Sequence, residues 1–557
     1  MARAPTSFEK AREREQCNTH RSNTAYALFS IMRKRRATKQ LHPLFAAVCS
    51  SDVERVQHLL HMNPNVHIRD AHDITPLHFA AQCDAPAVAH VLLKAGADPR
   101  TRDDRNRTPL YWAAAGGNTD IVARLLKAGA DPDDADELRR TPLLIAARNG
   151  HDLVVAQLLN AGAGKDEADE FGATPLLNAA ENGHEPVVAR LLGAGADKDK
   201  ATWQLGVTPL IVAAQKGHEP VVARLLEAGA GKDEVDAYGA TPLLNAAENG
   251  HEPVVARLLE WKADKDKEDE RRRTPLYVAA RNGHEPVVAR LLDAGADTDK
   301  ARWGGFTPLL IAAQNGHEPV VARLLEAGAD KDKEDGDGNT PLIMAAWSGH
   351  EPVVARLLNA RADTNKSNEN GDTPLIDAAA HGHEPVVARL LEAGADPDKA
   401  DEDGATPLLM AAKKGHEPVV ARLLIAGADK EKEDENGDTP LIMASKQGHE
   451  PVVARLLGAG ADKDKADEDG ATPLLIAAQE GHEPVVLMLF GAGAAAGEEG
   501  YGAAARLART EGHEGCARIL ESRERIASFR IHRFWRDVTC DPAYKLCRRK
   551  LEELRHE

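Results

Sequence analysis

Thiols are scarce in this chain, and those it has do not pair. Its six cysteines, at Cys17, Cys49, Cys83, Cys516, Cys540 and Cys547, include no C-x-x-C pair and leave 432 consecutive residues without a sulfhydryl. That excludes a disulfide scaffold and a paired-cysteine zinc module, and it predicts a reducing, cytoplasmic setting. No run of 18 apolar residues is present, so no membrane-spanning helix is expected. The short apolar patch from Ala25 to Met32 follows Glu9, Glu13 and Glu15, the wrong order for a signal peptide and too acidic for a transit peptide. A phosphate-binding loop, a nucleophile elbow and a paired-carboxylate cleft are all missing, which argues against an enzyme.

What is present is a period. Thr-Pro-Leu begins at Thr75, Thr108, Thr141, Thr174, Thr208, Thr241, Thr274, Thr307, Thr340, Thr373, Thr406, Thr439 and Thr472, each step being 33 residues except the 34 from Thr174 to Thr208. His42-Pro43-Leu44 stands one step before the first, and a worn copy around Gly512-His513 closes a series of fifteen units. A fixed spacing of this length marks a solenoid. Within the unit from Thr307 to Asn339, Thr307 and Pro308 suit the start of a short helix. Ala312 and Ala313 allow close approach of a neighbour, and Gly316 suits the helix end. Pro319 starts a second helix whose apolar stripe is Val320, Val321, Leu324 and Leu325. Gly328 ends it, and the charged stretch from Asp330 to Asn339 carries Asp337-Gly338, a tight-turn dipeptide. One such unit cannot bury its own stripe, whereas stacked copies share a core and need polar faces only at their ends. Fifteen units at helix-packing spacing would extend about 130 Å.

The 33-residue period, TPL at the first helix, Gly-His between helices and Gly-Ala-Asp after the second together resemble ankyrin repeats over residues 42–521. The resemblance implies an all-α repeat solenoid, a curved array whose hairpin-like loop tips and first helices line one concave side. One departure is systematic. The family places histidine after TPL, and only His78 fits; Leu310, Ile343 and Tyr277 stand there elsewhere, predicting apolar packing in place of polar links.

The net charge of −18 is unevenly spread. Residues 1–41 hold ten Lys/Arg against three Asp/Glu (+7), and residues 522–557 hold ten against six (+4), so residues 42–521 carry −29. Such an array repels nucleic acid. Residues 1–41 read as a basic, disordered arm in which Arg33, Lys34, Arg35 and Arg36 offer a nuclear import signal against the plainer reading of a solvated tail. The last unit reads as a cap: Ala503-Ala504-Ala505 replaces TPL, while Arg506, Arg509 and Arg518 make it polar. The basic tail 522–557 includes a helical stretch from Tyr544 to Arg555.

Three chemical readings give way to structural ones. Twelve Gly-His pairs, from His151 to His513, lie one repeat apart and cannot converge on one metal. HEPVV lacks the second histidine of HExxH. The acids of Asp330–Asp337 lack the glycine and glutamate of a calcium loop, which leaves a solvated loop, and Gly491–Ala496 follows a helix rather than a strand. No cofactor is expected.

Function is sought where near-identical repeats differ, in the Trp, Tyr and Arg types that binding surfaces favour. The candidates for partner contact are Arg105, Arg107, Tyr111, Trp112, Arg139, Arg140, Trp203, Arg271, Arg272, Arg273, Tyr277, Trp303 and Trp347. The leading reading is a monomeric protein-interaction scaffold, with Tyr111, Trp112 and the arginines around them receiving an acidic segment. The alternative is an adaptor of ubiquitin-ligase type acting through Pro542–Leu551, PAYKLCRRKL, which faintly resembles the elongin-binding part of a suppressor-of-cytokine-signalling box. Two local expectations follow. Lys262 and Arg361, standing where other repeats have glycine, should adopt positive φ or end their helices differently. The extra residue between Asp197 and Val207 should be absorbed in the loop and leave Trp203 exposed.

Overall fold

The computed structural model describes residues 42–495 and 500–521. These form thirty helices, from Pro43–Cys49 to Glu514–Glu521, and no strand among the described residues. In the unit from Thr307 the first helix is Pro308–Gln314 and the second Glu318–Glu326. Thr307 Oγ1 accepts the Leu310 N–H at 3.2 Å, with Pro308 in the first turn where no donor is needed. Gly316 at φ +77° ends the first helix and Gly328 at φ +89° follows the second. The second helix starts at Glu318, one residue before Pro319, with His317 as its flanking residue.

The core is aliphatic. Leu309, Leu310, Ala312, Ala313, Val320, Val321 and Leu324 are fully buried, while Leu325 is only half-buried at the margin of its stripe. Within each compact unit, first helices pack on first helices of the next repeat and second on second. Each buried Leu or Val contributes about 1.5–3 kcal/mol, but only because the neighbouring repeat covers it.

Three further ties join successive repeats, all made by residues that recur at constant positions. The Gly-His histidine donates from Nε2 to a carbonyl of the preceding repeat, as His317 does to Arg281 O at 3.0 Å. Its ring lies where a Cβ on Gly283 would be 2.7 Å from Nδ1, so that glycine is required for space as well as for its φ of +76°. A loop carboxylate accepts a backbone N–H one repeat on, as Asp299 does from Asp330 at 3.1 Å and Asp332 from Asp363 at 3.0 Å. The acidic loops are thus an inter-repeat ladder and not simply solvated. Outermost, the Glu of Gly-His-Glu-Pro pairs with an arginine of the next second helix, as Glu285 does with Arg323 at 2.7 Å.

Where the family histidine is present it works locally. His78 Nδ1 accepts from the Thr75 N–H at 3.2 Å and lies 2.8 Å from Thr75 Oγ1, while Nε2 donates to Arg107 O at 3.0 Å. Burial holds its pKa down at about 4.

Contacts divide the chain into two compact units, Met1–Asp264 and Lys265–Glu557. At the far end of the described second unit, Arg509 pairs with Glu514 at 3.1 Å and Glu521 at 2.9 Å across the helices Gly500–Thr510 and Glu514–Glu521.

Candidate protein-interaction surface

Most hairpin tips are closed by an aspartate five positions before the threonine. Asp335 Oδ1 accepts from the N–H of Asp337 at 3.0 Å and Asn339 at 2.8 Å, and Asp269 does the same for Arg271 and Arg273. The third tip residue then takes a left-handed φ, +79° at Gly338 and +57° at Arg272.

This closure corrects the expected cluster of the first unit. Asp103 Oδ2 accepts from Arg107 Nε at 2.8 Å and from Trp112 Nε1 at 3.1 Å, and the Arg107 guanidinium lies 4.7 Å from the Trp112 ring centre. Arg107, Tyr111 and Trp112 are 7%, 5% and 5% exposed. They are brought together as expected, but as internal packing rather than as a surface. Burial pushes the Tyr111 hydroxyl up to about 12, so it stays protonated. Arg140 is taken up by Asp136 at 2.6 Å and Arg273 by Asp269 at 2.6 Å, and Tyr277 is 1% exposed. Replacing Trp112 would therefore damage the fold before it could report on binding. Arg105, Arg139, Arg271 and Arg272 remain exposed.

The remaining tryptophans behave differently. Trp203 is 58%, Trp303 63% and Trp347 46% exposed. The extra residue beside Trp203 is absorbed in the tip, as expected. Thr202 replaces the closing aspartate, its N–H donating to Val207 O at 3.0 Å and its Oγ1 accepting from the Val207 N–H at 3.1 Å. The flanking helices Glu185–Gly193 and Pro209–Lys216 keep full motifs. Trp203 lies over Gly172, where an added Cβ would be 2.9 Å from the ring, and 5.6 Å beneath the Arg139 guanidinium. Phe171, half exposed, and Val235 at 40% occupy neighbouring tips and were not anticipated. Trp347, at the end of the first helix Pro341–Ser348, stands edge-on to His381 at 5.4 Å.

Two further positions emerge when the repeats are laid in phase. Asp377 stands where other first helices carry Phe, Trp, Ile, Asn, Val or Met, as at Met344 and Met410; burial, with Asp372 nearby, pushes its carboxyl up to about 7. Arg302 stands where the other tips, Thr202 apart, have Asp or Asn, and Trp303 where most have an acid. Arg302 lies 4.9 Å from the Phe306 ring and 5.7 Å from that of Tyr277. Arg302 and Phe306 are among the variable Arg and aromatic positions that the sequence itself shows, and in-phase comparison would have found Asp377 as well. The basic arm, the tail and PAYKLCRRKL lie outside the described residues.

Short capped helix pairs and an aliphatic core shared between copies define a tandem-repeat protein. The family of ankyrin repeats, matched in three-copy blocks from residues 22–103 through 408–499, covers most of the chain, and the chain belongs to it. Among solved structures, the crystal structure of the human ASB11 ankyrin repeat domain matches at 27% identity and a TM-score of 0.36, covering 39% of this chain and 98% of that one. No match was found among curated proteins.

Proposed function

We propose that the array is a protein-interaction scaffold whose partner contacts lie on hairpin tips and first-helix ends, with Trp203 as an anchor in the first unit and Trp303 and Trp347 as anchors in the second. Ankyrin repeats are protein-interaction modules, and no described helix is long and apolar enough to cross a membrane. The observation that carries this reading is the exposure of large rings at tips that are otherwise charged. Exposed aromatic side chains on such a surface suit contact with another molecule. A charge of −29 over residues 42–521 makes that molecule a protein rather than a nucleic acid.

The exposed arginines Arg105 and Arg139 belong to the proposed contact tips of the first unit, and Arg271 and Arg272 to those of the second. Arg107, Arg140, Arg273, Tyr111, Trp112 and Tyr277 support them from beneath. Trp203→Ala and Trp303→Ala should leave thermal unfolding unchanged and each weaken binding of a purified partner by about tenfold or more. Unchanged binding in both variants, measured calorimetrically, would remove the tips from the interface.

A further inference from the structure

The tip Arg302–Phe306 has inverted chemistry. Elsewhere in its unit the closing residue is Asp269, Asp335, Asn368, Asp401, Asp434 or Asp467, and the next residue is an acid in most copies. Here Arg-Trp replaces that pair. Without a carboxylate to hold the N–H two residues on, the turn changes type. Gly304 takes φ +82° in addition to the usual left-handed third position, Gly305 at +78°, and a positive φ there belongs to a type II turn, in which the central peptide is flipped.

The Arg302 side chain has no ion pair among the described residues, and its Nε is buried without a hydrogen-bond partner. Its guanidinium lies over the Phe306 ring at 4.9 Å and the Tyr277 ring at 5.7 Å. Arg271 and Arg272 lie on the preceding tip, Arg272 62% exposed and in a loose 3.7 Å pairing with Glu268 that an incoming carboxylate would compete with, and Trp303, 63% exposed, follows Arg302 directly. A guanidinium oriented by ring faces and without an ion pair is suited to a charge-assisted, two-pronged bond between its terminal Nη groups and a carboxylate, the buried Nε lying out of a partner's reach.

We propose that this tip, with Arg271 and Arg272, is the docking point for an acidic segment of a protein partner, with carboxylates on Arg302 and Arg272 and an apolar side chain against Trp303. The assignment deepens the scaffold reading and rests on it. Charge complementarity selects the occupant. A basic tip on a −29 array attracts a short run of carboxylates at close range, while the surrounding acids repel a long polyanion beyond the tip.

Arg302→Asp makes a clean test because it restores the residue that closes the neighbouring tips. It should fold as well as the parent while losing the cation. The full chain is titrated with a fluorescein-labelled peptide of glutamates interrupted by phenylalanine, and the anisotropy of the label is followed. The expected result is saturable binding that falls by about tenfold or more in Arg302→Asp and less in Arg302→Lys, which keeps the charge but not the planar fork. Unfolding midpoints should be equal or higher. Absence of binding to the parent, or equal binding to Arg302→Asp, overturns the assignment. Equal binding would leave acidic partners on another part of the scaffold, which the tryptophan variants test separately. An oligothymidylate that binds more tightly than the peptide with the same Arg302 dependence would overturn the protein partner in favour of nucleic acid.

Discussion

Lys262 and Arg361 hold φ of +58° and +59°, a conformation that costs a residue with a Cβ about 1 kcal/mol relative to glycine. Each follows its second helix where other repeats place glycine, with the backbone bond Lys262 N–H to Leu259 O at 2.9 Å intact. Lys262→Gly and Arg361→Gly should each raise stability by up to about 1 kcal/mol, read as a higher denaturant midpoint. Two ionisable groups on first helices, His78 fully buried and Asp377 half-buried, give opposite pH dependences. His78 has a folded pKa of about 4 against an ordinary 6.5. The unfolded chain therefore takes up a proton first, and stability falls as pH drops from 6.5 toward 4. Asp377 has a folded pKa of about 7 against 3.8. Here the folded state keeps the proton longer, and stability falls as pH rises from 3.8 toward 7. Of the first helices packed on its own, Pro374–Ala380, the helix Pro341–Ser348 has no charge and Pro407–Lys414 only Lys413 and Lys414 at its end. Asp377→Asn should therefore stabilise the second unit by about 2–4 kcal/mol at alkaline pH and by little below pH 4. Equal midpoints at both pH values would place the ordinary carboxylate pKa there.

Between helices, magnitudes separate bonds that look alike in the sequence. His317→Ala removes one of the two donors to the Arg281 carbonyl, which keeps the Asn315 side-chain amide at 2.9 Å, and leaves a void beside Gly283, which should cost about 1–2 kcal/mol. Glu318→Ala removes only an exposed pairing with Arg356 and should leave the midpoint unchanged. If Glu318→Ala proved the more damaging, the outer ion pairs would hold the stack. Much of this level was legible beforehand. The period, the threonine caps and the glycine ends all follow from residues close in sequence. Exposure was harder to read, because residue type carries little of it. Trp112 lies four residues after Thr108 on a first helix and finds Asp103, whereas Trp203 and Trp303 lie beside the closing residue of a tip and find solvent. Arg107 and Arg302 differ in the same way, one having an aspartate four residues before it and the other having replaced that aspartate.

Over the whole chain, residues 42–521 carry −29, and the outer Arg–Glu pairs are exposed and contribute little each. Mutual repulsion of the excess acids is the larger electrostatic effect, so raising salt from low to physiological strength should stabilise the protein. A fall in unfolding temperature with salt would mean that the ion-pair ladder outweighs the net charge. The bonds that fasten one repeat to another come from positions that scarcely vary: the histidine, the loop carboxylate and the outer Glu and Arg. The residues flanking a tip's closing residue take no part in those side-chain fastenings. TPLLNAAENGHEPVVARLL recurs letter for letter at Thr174 and Thr241, so copies can be duplicated, lost or exchanged without a new joint having to be invented. Selection is then free to rewrite the tips one at a time, and a surface that recognised one molecule can come to recognise another while the spine that carries it stays the same.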